Sequence, residues 1–220
     1  MAAFELAAEQ GADGIELDVR LAASGEVVVA HDPTLERVTG GADTRHVADL
    51  HPHELARVDV GGGQGIPRLT EVLAFARARR LRVNVELKRD VPHRMALVRA
   101  TARLLRNLPD APRWILVSSF DPLMLGAFAL LLPEIPRAFL FEDDDRWLRS
   151  GWPAYPLRAA ALHPPRTWTH PAMLRDFKAR GLAINVWTVN DPDEARDLAA
   201  LGVDGLITDV PDVVIPAVRA

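Results

Sequence analysis

The stretch Gly11-Ala12-Asp13-Gly14-Ile15-Glu16-Leu17-Asp18-Val19-Arg20 decides the reading of the fold. On a strand, residues two apart share a face, so Ile15, Leu17 and Val19 line one side and Glu16, Asp18 and Arg20 the other. The same parity recurs at Val83-Asn84-Val85-Glu86-Leu87-Lys88, with Asn84, Glu86 and Lys88 together. In a sheet wetted on one side this would be ordinary alternation. Here, however, short apolar runs alternate with helical patterns along the chain, the mark of βα units and a parallel sheet. Strands are expected near 14–20, 83–88, 114–119, 137–142, 159–163, 182–188 and 205–208. Helices are expected over 2–10, 69–80, 92–107, 122–132, 170–180, 192–201 and 211–218, the run 123–132 as a buried one. Asp191 before Pro192 and Thr169 before His170-Pro171 are start signals, and Gly181 a stop signal.

Gly11 to Val19 is echoed by Gly202-Val203-Asp204-Gly205-Leu206-Ile207-Thr208-Asp209-Val210, and Leu81 to Val85 by Leu182 to Val186, which supports repeated units. The expected fold is α/β, a (β/α)8 TIM-type barrel in a single domain over 1–220. Seven parallel strands are visible; the chain opens on a helix with no strand before it, so the first stave is expected to be lacking. Residues 26–31 form one more strand, but the tight turn Ala23-Ser24-Gly25 folds it back as a hairpin on 14–20. The long connection 33–66, with a short helical piece around 53–58, is expected to be a cap-like segment over a site.

The 220 residues suit one barrel-sized domain, and a formal net charge of −4 with interspersed signs gives no basic surface for nucleic acid. A small-molecule partner is expected. Without Cys, any metal must rest on oxygen or imidazole ligands, which favours a hard cation. The longest apolar run, 123–132, is too short to span a bilayer. The opening helical pattern shows no secretory signal, so cytoplasmic placement is expected.

Inside a barrel, a carboxylate must be paired or bound to a cation. Glu16, Asp18 and Glu86, near the C-terminal ends of their strands, are therefore candidate ligands for a divalent cation. Lys88 can meet a phosphate oxygen or pair structurally with Asp18. His31, set beside the carboxylates by the hairpin, is the acid/base candidate, with Asp32 placed to orient it. Trp187 and Phe120 either fill the barrel or form an apolar wall against a substrate. The other histidines read as surface or loop residues, apart from His163 at the end of an expected strand, and Thr208-Asp209 reads as a structural turn.

Taken in order, the Gly11–Val19 stretch, Gly25-Glu26-Val27-Val28-Val29 running to His31-Asp32, Ile66-Pro67-Arg68-Leu69, Glu86-Leu87-Lys88, Ser118-Ser119-Phe120, Val186-Trp187-Thr188-Val189-Asn190 and Ile207-Thr208-Asp209-Val210-Pro211 resemble the signature of glycerophosphodiester phosphodiesterases. The resemblance covers essentially the whole chain. It implies a barrel enzyme binding Mg²⁺ or Ca²⁺ on Glu16, Asp18 and Glu86, with Lys88 as a substrate contact and His31 as one of two acid/base histidines. The implied reaction converts a glycerophosphodiester and water to glycerol 3-phosphate and an alcohol. The family's His-Arg-Gly segment, which ends the first strand and carries the other histidine, is absent from this chain, so the domain is expected to be N-terminally truncated. Three functional readings stand: a metal-dependent phosphodiester hydrolase, a catalytically silent phosphodiester- or metal-binding remnant, or, against the ordered signature, another barrel enzyme of phosphate-bearing substrates. An open stave position also leaves room for a homo-oligomer.

Overall fold

The computed structural model describes residues 1–108, 110–142 and 152–219. The alternating stretch forms β1 (Gly14–Leu21), which pairs antiparallel with β2 (Val27–Val29) and parallel with β3 (Arg82–Leu87). The sheet continues in parallel through β4 (Ile115–Ser119), β5 (Arg137–Leu140), β6 (Ala161–His163), β7 (Ala183–Val186) and β8 (Gly205–Leu206). Seven parallel strands and one hairpin strand are present, as expected, and among the described residues β2 and β8 end the sheet. It curls into a half-barrel. Asp209, just past β8, is near enough to Glu16 of β1 for their charges to repel, and Arg219 donates to Asp13 Oδ1 at 2.8 Å.

Helices α1 (Ala2–Glu9), α2 (Pro52–Leu55), α3 (Leu69–Arg79), α4 (Arg94–Arg106), α5 (Pro122–Leu131), α6 (Ala154–Leu157), α7 (Pro171–Ala179), α8 (Pro192–Ala200) and α9 (Pro211–Arg219) fill the connections. One apolar core joins β1, β3 and β4 to α3, α4 and α5, and a second joins β5 to β8 with α6 to α9. In the 33–66 connection, Leu35, Val47, Leu50, Leu55 and Ile66 pack with Ala22 and Val28 into a small core of their own. The repeated Gly-x-Asp-Gly turns share a mechanism: Gly11 and Gly202 both take positive φ, +86° and +84°, which a side chain resists.

Two expectations need correcting. α5 is not a buried helix: Met124, Leu125 and Phe128 are buried, but Leu123 is 74% and Leu130 87% exposed. An all-apolar run hides its true face, because periodicity has no polar positions to mark the outside. The cap of α7 is His170, whose Nδ1 accepts from the Met173 N–H, and not Thr169. Asp191 caps α8 as expected, accepting from the Asp193 and Glu194 N–H groups, and Gly181 follows α7 at φ +77°.

The barrel interior holds a polar pair. His163 is fully buried, with Nε2 2.9 Å from Asn185 Nδ2, and an added Cβ at Gly205 would fall 2.5 Å from Asn185 Oδ1. Glycine at 205 is what admits the Asn185 amide. Burial pushes the His163 imidazole down to about 3 from its usual 6.5. Only the unfolded chain takes up that proton between those values, so stability is present above 6.5 and is lost as pH falls toward 3, by up to about 1.4 kcal/mol per pH unit. Urea unfolding of His163→Gln between pH 6.5 and 4 should show a slope shallower by roughly that amount. Parallel slopes would mean that His163 charges freely in the fold.

Candidate active site

β1 and β3 are in parallel register with Glu16 opposite Asn84 and Asp18 opposite Glu86. That register turns two alternating strands into one acidic surface. One ligand oxygen from each of Glu16, Asp18 and Glu86 lies within 4.8 Å of the others. Lys88, on the next site-facing position after Glu86, places Nζ 3.2 Å from Asp18 Oδ1 and 3.2 Å from Glu86 Oε1.

One ammonium does not balance three carboxylates. The Glu16 carboxyl is pushed well above its usual range, first by burial and then by the charges of Asp18 and Glu86. Glu86 is pushed up to about 7, again by burial first and then by Asp18. Burial pulls Lys88 down, but the Glu86 and Asp18 carboxylates outweigh it and leave its ammonium held above the usual value. The Asn84 amide, beside Glu16 in register, and the Ser118 hydroxyl, beside Glu86, are buried and without a hydrogen-bond partner among the described residues. An all-oxygen set with uncompensated negative charge and spare buried polar groups fits a hard, partly hydrated cation.

The hairpin delivers His31 to the same end of the sheet. Ala30 N–H donates to the Asp18 carbonyl at 3.0 Å, and the imidazole that follows is near enough for its charge to act on Glu86. His31 Nδ1 lies 2.6 Å from Asp32 Oδ1, while Arg37 holds the other Asp32 oxygen. Burial works to raise Asp32, yet the hydrogen bonds from Arg37 and His31 outweigh it and keep the carboxylate charged. With Nδ1 so engaged, Nε2 is the ring nitrogen left for other partners. Sequence reading did not find Arg20's part. This buried guanidinium bonds the His31 carbonyl at 2.6 and 3.1 Å and the Asp90 carboxylate at 2.8 and 2.7 Å, tying the hairpin's end to the segment after β3.

Phe120, after β4, and Trp187, after β7, meet edge to face with centroids 5.7 Å apart. Trp187 Nε1 donates to the His163 carbonyl at 2.9 Å, which fixes the indole. Both rings are partly exposed. After β8, Thr208 Oγ1 and the Asp209 N–H both donate to Asn190 Oδ1, and the Val210 N–H donates to Thr208 Oγ1.

Fold and site together define a curled (β/α) half-barrel with a lysine-bridged carboxylate cluster at the C-terminal ends of its strands. Residues 1–213 match the model of the glycerophosphoryl diester phosphodiesterase family, and the chain belongs to that family of phosphoric diester hydrolases. A glycerophosphodiester phosphodiesterase of Caldanaerobacter subterraneus subsp. tengcongensis is 31% identical, covering 100% of this chain and 91% of that protein. One from Bacillus altitudinis is 32% identical over 96% of this chain and 89% of its own length. Among solved structures, an Oleispira antarctica phosphodiesterase in complex with the product sn-glycerol-3-phosphate superposes with a TM-score of 0.88 at 26% identity. That superposition covers 100% of this chain and 90% of the other. No helix among the described residues is long and apolar enough to cross a membrane.

Proposed function

We propose that the chain is a divalent-cation-dependent phosphodiesterase that hydrolyses glycerophosphodiesters to glycerol 3-phosphate and an alcohol. The observation that carries this reading is the convergence of Glu16, Asp18 and Glu86 within 4.8 Å beside Lys88, in a chain whose relatives are named for this reaction. The product held by the Oleispira antarctica relative supports the same substrate class.

Glu16, Asp18 and Glu86 would hold Mg²⁺ or Ca²⁺, which when bound neutralises the carboxylates and polarises a phosphoryl oxygen. Lys88, beside the cluster, would offer its ammonium to a phosphoryl oxygen as a point charge. His31, with Nδ1 held by Asp32, gives the proton on Nε2 to the departing alkoxide as general acid. Phe120 and Trp187 lie against the carbon skeleton of the diester and exclude water from it.

The test is release of glycerol 3-phosphate from glycerophosphoglycerol and glycerophosphocholine with Mg²⁺ or Ca²⁺ against EDTA. Cation-dependent release is expected. Equal rates in EDTA would remove the metal from the account, and no release under any cation would leave a binding protein in place of an enzyme.

A further inference from the structure

Arg89 follows Lys88 directly, and none of the roles above employs it. Its guanidinium sits over the Phe120 ring, 5.2 Å from the centroid, and its Nη2 donates to Glu142 Oε1 at 3.1 Å. Arg89, Phe120 and Glu142 thus stand just past the C-terminal ends of three successive strands, β3, β4 and β5. The cluster that would hold the phosphate lies on β1 and β3. A substituent leading from that phosphate toward β5 passes over Phe120 and meets the ion pair.

We propose that Arg89 sets the headgroup preference of the site, disfavouring diesters that carry a quaternary ammonium and admitting those whose alcohol is an uncharged polyol. The inference rests on the phosphodiesterase reading. An aromatic wall with a carboxylate beside it is the surface that a quaternary ammonium seeks. Here both parts already serve a cation: Arg89 covers Phe120 and pairs with Glu142. A guanidinium keeps its charge at every working pH, so an incoming ammonium loses its two partners and meets a like charge. A polyol loses nothing of this kind. Its hydroxyl oxygens can accept from guanidinium N–H groups, of which arginine has five.

The experiment compares calorimetric binding of glycerophosphoglycerol and glycerophosphocholine to the unaltered chain and to Arg89→Leu, with glycerol 3-phosphate release measured in parallel. Arg89's side chain is 45% exposed, so its replacement leaves the core intact. The unaltered chain should favour glycerophosphoglycerol, and Arg89→Leu, which leaves Phe120, Trp187 and Glu142 in place, should move the ratio toward glycerophosphocholine by about tenfold. A preference for glycerophosphocholine in the unaltered chain, or an unmoved ratio in the variant, would overturn the inference alone. Failure of both diesters to bind either protein would overturn it together with the phosphodiesterase reading.

Discussion

Glu86→Gln is expected to remove cation binding and turnover together while making the cation-free protein more stable at neutral pH. Gln keeps the shape of the side chain and loses its charge. Since changes in groups merely supporting metal ligands typically cost 10- to 100-fold in affinity, loss of a ligand charge should cost at least about 10²-fold. Stability moves the other way. The Glu86 carboxyl titrates at about 7 in the fold against an ordinary 4.5, so the folded state holds the proton more tightly. Stability that Glu86 contributes at low pH is therefore lost as pH rises from 4.5 through about 7. At pH 7.5 the variant, having no such proton to lose, should gain about 1–3 kcal/mol over the cation-free parent. Thermal unfolding in EDTA reads this directly. Adding Ca²⁺ should raise the parent's midpoint and leave that of Glu86→Gln nearly unmoved. A variant less stable than its parent in EDTA would show that Lys88 already balances the cluster.

His31→Ala is expected to slow turnover by about 10²- to 10⁴-fold, the usual range for loss of a positioned acid/base group. The fold should not notice, because the imidazole is 61% exposed and its backbone carbonyl, which the substitution leaves in place, makes the bonds to Arg20. Cation affinity should also persist. The signature is a fall in kcat with cation binding and unfolding midpoint unchanged, unlike Glu86→Gln, which loses both activity and cation. Diesters with good leaving groups, such as aryl esters, need less protonation and should suffer less. A full rate in His31→Ala would assign that proton transfer to another group.

The strand-by-strand fold and the acidic cluster were legible because both follow from local pattern. Period-two alternation at Glu16, Asp18, Asn84, Glu86 and Lys88 names the inward face without knowledge of any partner, and the turn Ala23-Ser24-Gly25 gives away the hairpin that carries His31. What escaped depends on partners far apart in sequence. Arg20 and Asp90 are 70 residues apart, Arg89 and Glu142 are 53, and His163 and Asn185 are 22. No spacing rule links such residues; only the curl and strand order of the sheet bring them together. Lys88 was legible as a choice between a phosphate contact and a structural pair with Asp18. It bridges both Asp18 and Glu86, so the structural pairing is present. α5 misled for the opposite reason, since a run with hydrophobic residues on every face carries no mark of which side meets water.

The central claim is that Glu16, Asp18 and Glu86 form a cation site, and calorimetric titration of the chain with Mg²⁺ and Ca²⁺ at several pH values tests it most directly. The account predicts a single ion per chain, binding that weakens as pH falls below about 7 because Glu86 must first release its proton, and loss of the binding in Glu86→Gln. Binding of equal strength in Glu86→Gln, or none in the parent chain, would contradict it.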